Sequence, residues 1–438
     1  MKKISLISII LLAVHFCASA QQEGPWTLEM CIDYALSRNI QVRKTELTNQ
    51  RLELSAEQTK AQRLPSASAS VSQNFNWSNS SATVSSGLTG SNGSSYSVNS
   101  GITVFNASRI TNLIKQAELD IKSGLLTLET TKESISLNIL NAFLQVLYAE
   151  ENVKNTQKQI ESTTSQLNLA SERLAMQVIS QSDYAQVKSQ LASEKLTLAN
   201  AESQLAIAKV SLMQLMELPV AADFQISHPD LSASLNQKRV PDVKAVYETA
   251  LAIKPQIENA AVNKEIAALD EKVAKAGYYP TLSASAGISS SFSSLGTDNY
   301  LTQINDGIRP SAGFSLAIPI YQRKQVKTSI ESAKIGYKDA ELSETDTRNQ
   351  LRKSIEQACQ DVTSAQIEYE ASLEKYNATL ESSTLSDEKF RQGIINSVDY
   401  LVSKTNLIVA ESQLLQSKFN LIFSYKILDF YTGIPFTL

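Results

Sequence analysis

The sequence predicts a mainly α-helical fold with a minority of β-strands, built as two internal repeats. Three observations carry this reading. Helix breakers are almost absent: no proline lies between Pro65 and Pro219, and no glycine between Gly124 and Gly277. Segments interrupted that rarely form very long helices. A strict two-residue alternation follows Pro65 in PSASASVSQNFNW and Pro280 in PTLSASAGISSSF, which is the period of a strand. A shift of about 215 residues lays the second half on the first. ALSRNIQV (35–42) falls on ALAIKPQI (250–257), Pro65 on Pro280, RLAMQVISQSDY (173–184) on KFRQGIINSVDY (389–400), and Pro219 on Pro435. A shift held that steadily marks an internal duplication.

The elements follow in order. Residues 1–20, MKKISLISIILLAVHFCASA, carry two lysines, a short apolar run and a small-residue cleavage site. That is the plan of a secretory signal peptide. The residues before Cys17 do not suit lipidation. The first repeat is expected at 21–219. It reads helices at about 27–64, strands at 66–77 and 95–105, a long helix at 107–176 and a helix at 183–218. A linker at 220–241 contains His228 and Pro229. The second repeat, 242–438, reads helices at about 242–279, strands at 282–292 and 311–320, a long helix at 322–392 and a helix at 399–432. At about 1.5 Å per residue, a helix of ~70 residues reaches ~105 Å. No globular core is that wide, so such helices belong to an elongated coiled-coil assembly. The segments 78–94 and 293–307, rich in Ser, Asn, Gly and Thr, read as exposed hairpin tips. Pro65, Pro280 and Pro319 mark the corners between strands and helices.

The strands set out two unlike faces. Ala67, Ala69, Val71, Phe75 and Trp77 alternate with Ser and Asn, and Gln73 breaks the apolar row once. Tyr96, Val98, Ile102 and Val104 do the same, with Ser100 as the break. So do Leu282, Ala284, Ala286, Ile288 and Phe292, broken by Ser290, and then Ala312, Phe314, Leu316, Ile318 and Ile320. A water-soluble sandwich would bury the apolar faces and put charge outside. Here the polar faces are small and almost free of charge, which suits the wall of a wide pore. Runs of roughly 10–12 residues with aromatics near their ends match tilted membrane strands. Four strands cannot close a barrel, since the smallest common one has about eight, and an open edge in lipid leaves backbone groups unpaired. Several chains must therefore share one barrel, with serines towards water and the alternate residues towards lipid.

Composition excludes several function classes. Loss of Lys2 and Lys3 with the leader takes the formal charge from −4 to −6, which argues against a nucleic-acid partner. No later segment is apolar enough for a transmembrane helix, so any crossing must use strands. One histidine, His228, remains after cleavage. No Cys/His cluster has metal spacing, and no glycine-rich phosphate loop exists. Neither an enzyme nor a cofactor is expected. Cys31 and Cys359 lie in helical pattern and read as half-buried thiols in preference to a bridge.

With these features in place, the chain resembles the TolC-type outer-membrane efflux proteins. The resemblance rests on the duplicated halves, on WTLEMCIDYALSRN (26–39), and on the corners GITVFNASRI and AIPIYQRKQV. It rests also on the helix–turn–helix segments RLAMQVISQSDYAQVKSQL and KFRQGIINSVDYLVSKTNL. It implies a shared transmembrane barrel, four strands per protomer, continuing into a long periplasmic α-helical barrel. It implies a homotrimer in outer-membrane lipid, joined to a periplasmic adaptor protein and an inner-membrane pump of the RND, MFS or ABC kind. The duct would be passive and would serve tripartite efflux or type I secretion.

The family's tip-turn pattern falls on Arg173, Leu174, Gln177, Ser180 and Asp183, and again on Lys389, Phe390, Gly393, Asn396 and Asp399. The resemblance implies a gate or constriction at Asp399, Asp183 and Phe390. It places adaptor contacts at the turns Gln177, Val178, Ile179, Ser180 and Gly393, Ile394, Ile395, Asn396. Two plainer readings stand beside these. Ser180 and Asn396, each three residues before an acid, are also helix caps, and the apolar turn residues also suit simple turn packing. For the whole chain, a secreted coiled-coil adhesin or scaffold is the alternative. It explains the leader and the helices but not four strands placed at matching points of two repeats.

Overall fold

A computed structural model describes residues 24–79, 88–219, 224–231, 235 and 242–438. The leader and most of the 220–241 linker lie outside the described residues. The elements run α1 (Leu28–Arg38), α2 (Ile40–Ala61), β1 (Ser66–Asn79), β2 (Leu88–Phe105), α3 (Arg109–Ala175) and α4 (Gln181–Leu215). The second half runs α5 (Val243–Ile253), α6 (Pro255–Lys275), β3 (Thr281–Ser293), α7 (Tyr300–Asp306), β4 (Arg309–Ala317), α8 (Gln325–Arg391) and α9 (Ser397–Thr432). The chain divides into two compact units. One comprises Met1–Ile40, Glu133–Val246 and Glu356–Leu438; the other comprises Gln41–Lys132 and Tyr247–Ile355. The 67-residue helices α3 and α8 contribute residues to both.

The duplication is written into the backbone. Among the described residues, the non-glycine residues with positive φ are Ala107, Ser108, Gln177, Glu217, Arg323 and Lys324, and the glycines with positive φ are Gly393 and Gly433. Each of the four in the first repeat has its counterpart 216 residues later. At the corner before α3, the Arg109 N–H donates to the Asn106 carbonyl at 3.0 Å. The matching bond before α8, Gln325 to Gln322, is 2.8 Å. With two left-handed residues between, each corner has the φ pattern of a type I′ turn. The first pair of helices in each repeat also breaks at matching points. Lys254, which precedes Pro255, is extended at ψ 121° because the proline ring disfavours a helical residue before it. In the first repeat Asn39 takes ψ 130° and donates its side-chain amide to the Leu215 carbonyl at 3.1 Å.

The first unit holds the main apolar core. Leu28, Cys31, Ile32 and Ala35 of α1 meet Ile139, Leu140, Phe143 and Val146 of α3, Leu212 of α4 and Met216 just after it, and Phe419 and Ile422 of α9. A short parallel bridge, Trp26 to Ile226, fastens the chain before α1 onto this core. Cys31 and Cys359 are free, buried thiols. Burial, helped by the Glu29 charge, pushes the Cys31 thiol up to about 12, so it is inert.

The second unit holds one antiparallel sheet in the order β1-β2-β3-β4. Its register puts Ser70 opposite Ser97 and Ser72 opposite Ser95, and both hydroxyl pairs bond at 2.7 Å. On the other face Val71 lies opposite Tyr96, which lies opposite Ser290. Apolar side chains on that face are open: Trp77 is 69% exposed and Phe314 77%. The helices beside the sheet are linked largely at their surfaces, as in the ion pairs Lys60–Glu118 at 3.0 Å and Lys122–Glu258 at 2.7 Å, which contribute little stability.

Three expectations for the strands need correction. β2 begins at Leu88, not at residue 95, because the Gly- and Ser-rich residues before Ser95 pair with β1. The segment 293–307 is not a plain loop. Asn299 accepts a bond from the Thr302 N–H at 2.9 Å and caps the short helix α7. β4 ends at Ala317, before Ile318 and Ile320, because Pro319 has no N–H for a ladder. Pro65 and Pro280 stand immediately before β1 and β3.

Candidate functional site

The candidate site is built from the two turns that join α3 to α4 and α8 to α9, all within the first unit. Both turns end the preceding helix in the same way. The Gln177 N–H donates to the Leu174 carbonyl, and the Val178 N–H to the Arg173 carbonyl, both at 2.9 Å. The Gly393 N–H donates to Phe390 at 3.1 Å and the Ile394 N–H to Lys389 at 2.9 Å. These are paired Schellman bonds around a left-handed residue, with φ +60° at Gln177 and +75° at Gly393. A side chain raises the energy of that conformation by about 1–2 kcal/mol. Gln177→Gly should therefore stabilise the first turn by about 1 kcal/mol, and Gly393→Ala should weaken the second by a similar amount. No atom stands within 4 Å of a Cβ at Gly393, so the effect there is purely conformational. Amide exchange at the two turns reads both.

The next helices start on side-chain caps. Ser180 Oγ accepts the Asp183 N–H at 3.1 Å, and Asp183 Oδ2 accepts the Ser180 N–H at 3.2 Å. This reciprocal capping box fixes the start of α4. Asn396 Oδ1 accepts the Asp399 N–H at 2.8 Å and starts α9. Asp183 also reaches across to the second turn, where the Ser397 hydroxyl donates to Asp183 Oδ1. Ser397 is buried and lies 2.8 Å from Gln186 Oε1. Bonds from Ser180, then Ser397, hold the Asp183 pKa below the ordinary 3.8. The two helix starts are thus joined through one carboxylate.

A second join lies one turn deeper. Arg173 donates to the carbonyls of Phe390 at 3.1 Å and Arg391 at 2.5 Å, so a cation from α3 closes the C-terminus of α8, where the dipole is negative. Its guanidinium lies 5.7 Å from the Phe390 ring centre. Phe390 stacks on Tyr400 at 4.6 Å and 16°. The Gln166 amide donates to the Tyr400 hydroxyl, and Arg391 pairs with Asp387 at 2.8 Å. Burial, with the nearby Asp387 and Glu194 charges, raises the Tyr400 pKa, so the phenol stays neutral. Deeper still, Lys404 of α9 faces Glu194 of α4 at 3.8 Å. Thr163 of α3 accepts from Lys404 and donates to Glu194.

Of the residues expected here, the structure joins Asp183 to the second turn and Phe390 to Arg173. Asp399 is exposed and is not brought to Asp183 or Phe390. Val178 and Ile394 are 69% and 66% exposed, while Ile179 and Ile395 are half-buried. Ser397, Tyr400, Gln166, Thr163, Glu194 and Lys404 were not foreseen. An apolar period interrupted by polar residues on one helix face was the available signal for Lys404 and Glu194. Among the described residues no cluster could hold a metal ion, and no helix is long and apolar enough to cross a membrane. The site offers polar clasps between two helical hairpins.

Comparison with known proteins agrees with this architecture. Over 311 residues the chain is 24% identical to the outer membrane protein TolC of Escherichia coli, covering 67% of this chain and 60% of that protein. Over 235 residues it is 22% identical to an uncharacterized protein of Haemophilus influenzae, covering 54% and 50%. The matched region thus spans half to three fifths of these relatives. Among solved structures, CusC superposes with a TM-score of 0.79 at 15% identity, covering 95% of this chain and 96% of that one. The Campylobacter jejuni CmeC outer membrane channel superposes with 0.77 at 15% identity, covering 93% and 85%. The fold is TolC-like. The profile of the outer membrane efflux proteins matches residues 31–217 and 246–433, one match to each repeat, and the chain belongs to the outer membrane efflux protein family.

Proposed function

We propose that this protein is the exit duct of a tripartite efflux or type I secretion system. Its outer-membrane location and a part in efflux come with the family. The finer reading rests on one observation: an open four-stranded sheet with a serine face and an apolar face, whose edge strands β1 and β4 have no further strand partner among the described residues. In lipid each unpaired edge group costs several kcal/mol. Copies of the chain remove that cost by pairing β4 of one with β1 of the next. Three copies give twelve strands, a closed ring with a water-filled lumen.

In this reading the α3/α4 and α8/α9 hairpins form a periplasmic tunnel whose tip carries the two turns. Val178, Ile179, Ile394 and Ile395, with Gln177, Ser180, Gly393 and Asn396, present the surface for a periplasmic adaptor. An inner-membrane RND, MFS or ABC pump supplies the energy, and small molecules or proteins are the cargo. Three exposed Asp399 carboxylates around the axis would draw cations to the mouth.

Extraction from outer membranes in mild detergent, followed by native mass spectrometry, tests the assembly. The expected mass is that of three mature chains, and the same preparation should conduct ions across planar bilayers. A monomer, or recovery in the soluble fraction, would overturn the shared barrel.

A further inference from the structure

The apolar face of the sheet is interrupted by polar side chains near one end, and the segment 293–308 lies over one of them, Ser290. Gln73, Ser94 and Ser290 all stand on the face that carries Val71, Tyr96 and Ile288. Each has a partner. Ser94 donates to Gln73 Oε1, Ser290 Oγ donates to the Ile304 carbonyl of α7 at 2.6 Å, and the Tyr96 and Tyr300 hydroxyls lie 2.6 Å apart. Phe292 packs on the Tyr300 ring at 4.9 Å. Gly307 lets the segment lie this close: a Cβ there would sit 2.4 Å from the Gln303 carbonyl and 3.2 Å from Ser290 Oγ. In water such serines and glutamines need no cover. In hydrocarbon an unsatisfied polar group costs several kcal/mol. The cover sits where lipid would demand it, and its outward residues include two open leucines, Leu301 at 76% and Leu295 at 78%, beside the exposed polar residues Asp298, Asn305 and Asp306.

We infer that 293–308 is a lipid-seated belt on the outside of the barrel, with Leu295 and Leu301 in the outer-leaflet interface. The inference rests on the barrel reading above. Its height agrees. Ser290 is nine steps along β3 from Thr281, and about 3.3 Å per residue at a tilt of about 40° gives ~23 Å. That is the upper edge of an apolar band about 25 Å tall, the level of the aromatic girdle, where Tyr96, Phe292 and Tyr300 meet. At that level Leu295 and Leu301 can enter the hydrocarbon while Asp298, Asn305 and Asp306 stay among headgroups and water, so the occupant we assign is the lipid interface.

The test places a nitroxide on the full-length protein at Leu301→Cys, Phe314→Cys or Ser311→Cys, in vesicles of phosphatidylethanolamine and phosphatidylglycerol. The native thiols Cys31 and Cys359 are buried, and the unsubstituted chain carried through labelling measures their background. Collisions with oxygen, which partitions into lipid, are compared with collisions with a water-soluble nickel chelate. The expected oxygen-to-nickel ratio at Leu301 is several-fold above that at Ser311 on the serine face, and close to that at Phe314 on the apolar face. Nickel preference at Leu301 with oxygen preference at Phe314 would overturn the belt and leave the barrel standing. Nickel preference at both would overturn both readings. Shielding of Leu301 from both reagents would assign the cover to a neighbouring copy and overturn the lipid contact.

Discussion

Lys404→Met should loosen the turn end of the first unit more than any other single change. The Lys404 and Glu194 side chains are 8% and 5% exposed. Removing the cation leaves Glu194 buried with only neutral partners, Thr163 and Gln190, the latter at 2.9 Å. Breaking a buried pair in this way costs about 3–5 kcal/mol. Local opening that exposes α4 and α9 should then be about 100-fold or more easier, since each 1.4 kcal/mol is about tenfold. Hydrogen exchange of the α4 and α9 amides in the purified assembly measures it. The double change Lys404→Met with Glu194→Leu should recover most of the loss, because a well-packed apolar pair replaces a buried ion pair at little cost. Acidity supplies a second readout. Burial lowers the Lys404 pKa from 10.5, with the Glu194 and Asp387 charges opposing. The unfolded chain holds the extra proton between the lowered value and 10.5, so stability rises with pH across that window. The rise should vanish in Lys404→Met. Unchanged exchange in the single variant would mean that the pair contributes nothing to closure.

What was legible in the sequence follows from how local each signal is. The repeat was legible because breakers are local: Pro65 and Pro280, or Pro219 and Pro435, punctuate the chain wherever they stand. Strand faces were legible for the same reason, since Val71 and Ser72 must point opposite ways whatever pairs with them. The first seven residues of β2 were not legible. Gly90 and Gly93 have poor strand propensity, and it is the ladder to β1 that makes them strand. Helix α7 was hidden because Tyr300–Asp306 is short and flanked by Ser, Asn and Gly, and its packing on Phe292 and Tyr96 is a tertiary event. At the turns, the caps at Ser180 and Asn396 were legible from a spacing of three. The bond from Ser397 to Asp183 was not, because it joins residues 214 apart. The positive φ of Gln177 was legible only through the repeat, by its alignment with Gly393.

Ser397→Ala should raise the open fraction of the channel while leaving both helix caps in place. Its hydroxyl donates to Asp183 Oδ1, whereas in the capping bonds the Asp183 N–H donates to Ser180 Oγ and the Asp399 N–H to Asn396 Oδ1. The substitution therefore separates closure from capping. A hydrogen bond to a charged acceptor contributes about 1.5–3 kcal/mol, so the open-to-closed ratio should rise about 10-fold to 150-fold, read as open probability in single-channel recordings. Asp183→Asn should do the same and also slow the start of α4, because it weakens the capping box. Asp399→Ala should change cation preference and leave the open fraction alone, since that carboxylate is exposed and joins neither turn to the other. Protonation should mimic Asp183→Asn. Bonds from Ser180 and Ser397 depress the Asp183 pKa below 3.8, so the clasp is fully present above that value and is lost as pH falls through the lowered one. Opening on acidification should therefore begin only below about pH 4 and should be absent in Ser397→Ala, which has no clasp left to lose. An open probability for Ser397→Ala equal to that of the unsubstituted channel would remove Asp183 from the gate and leave it a helix cap.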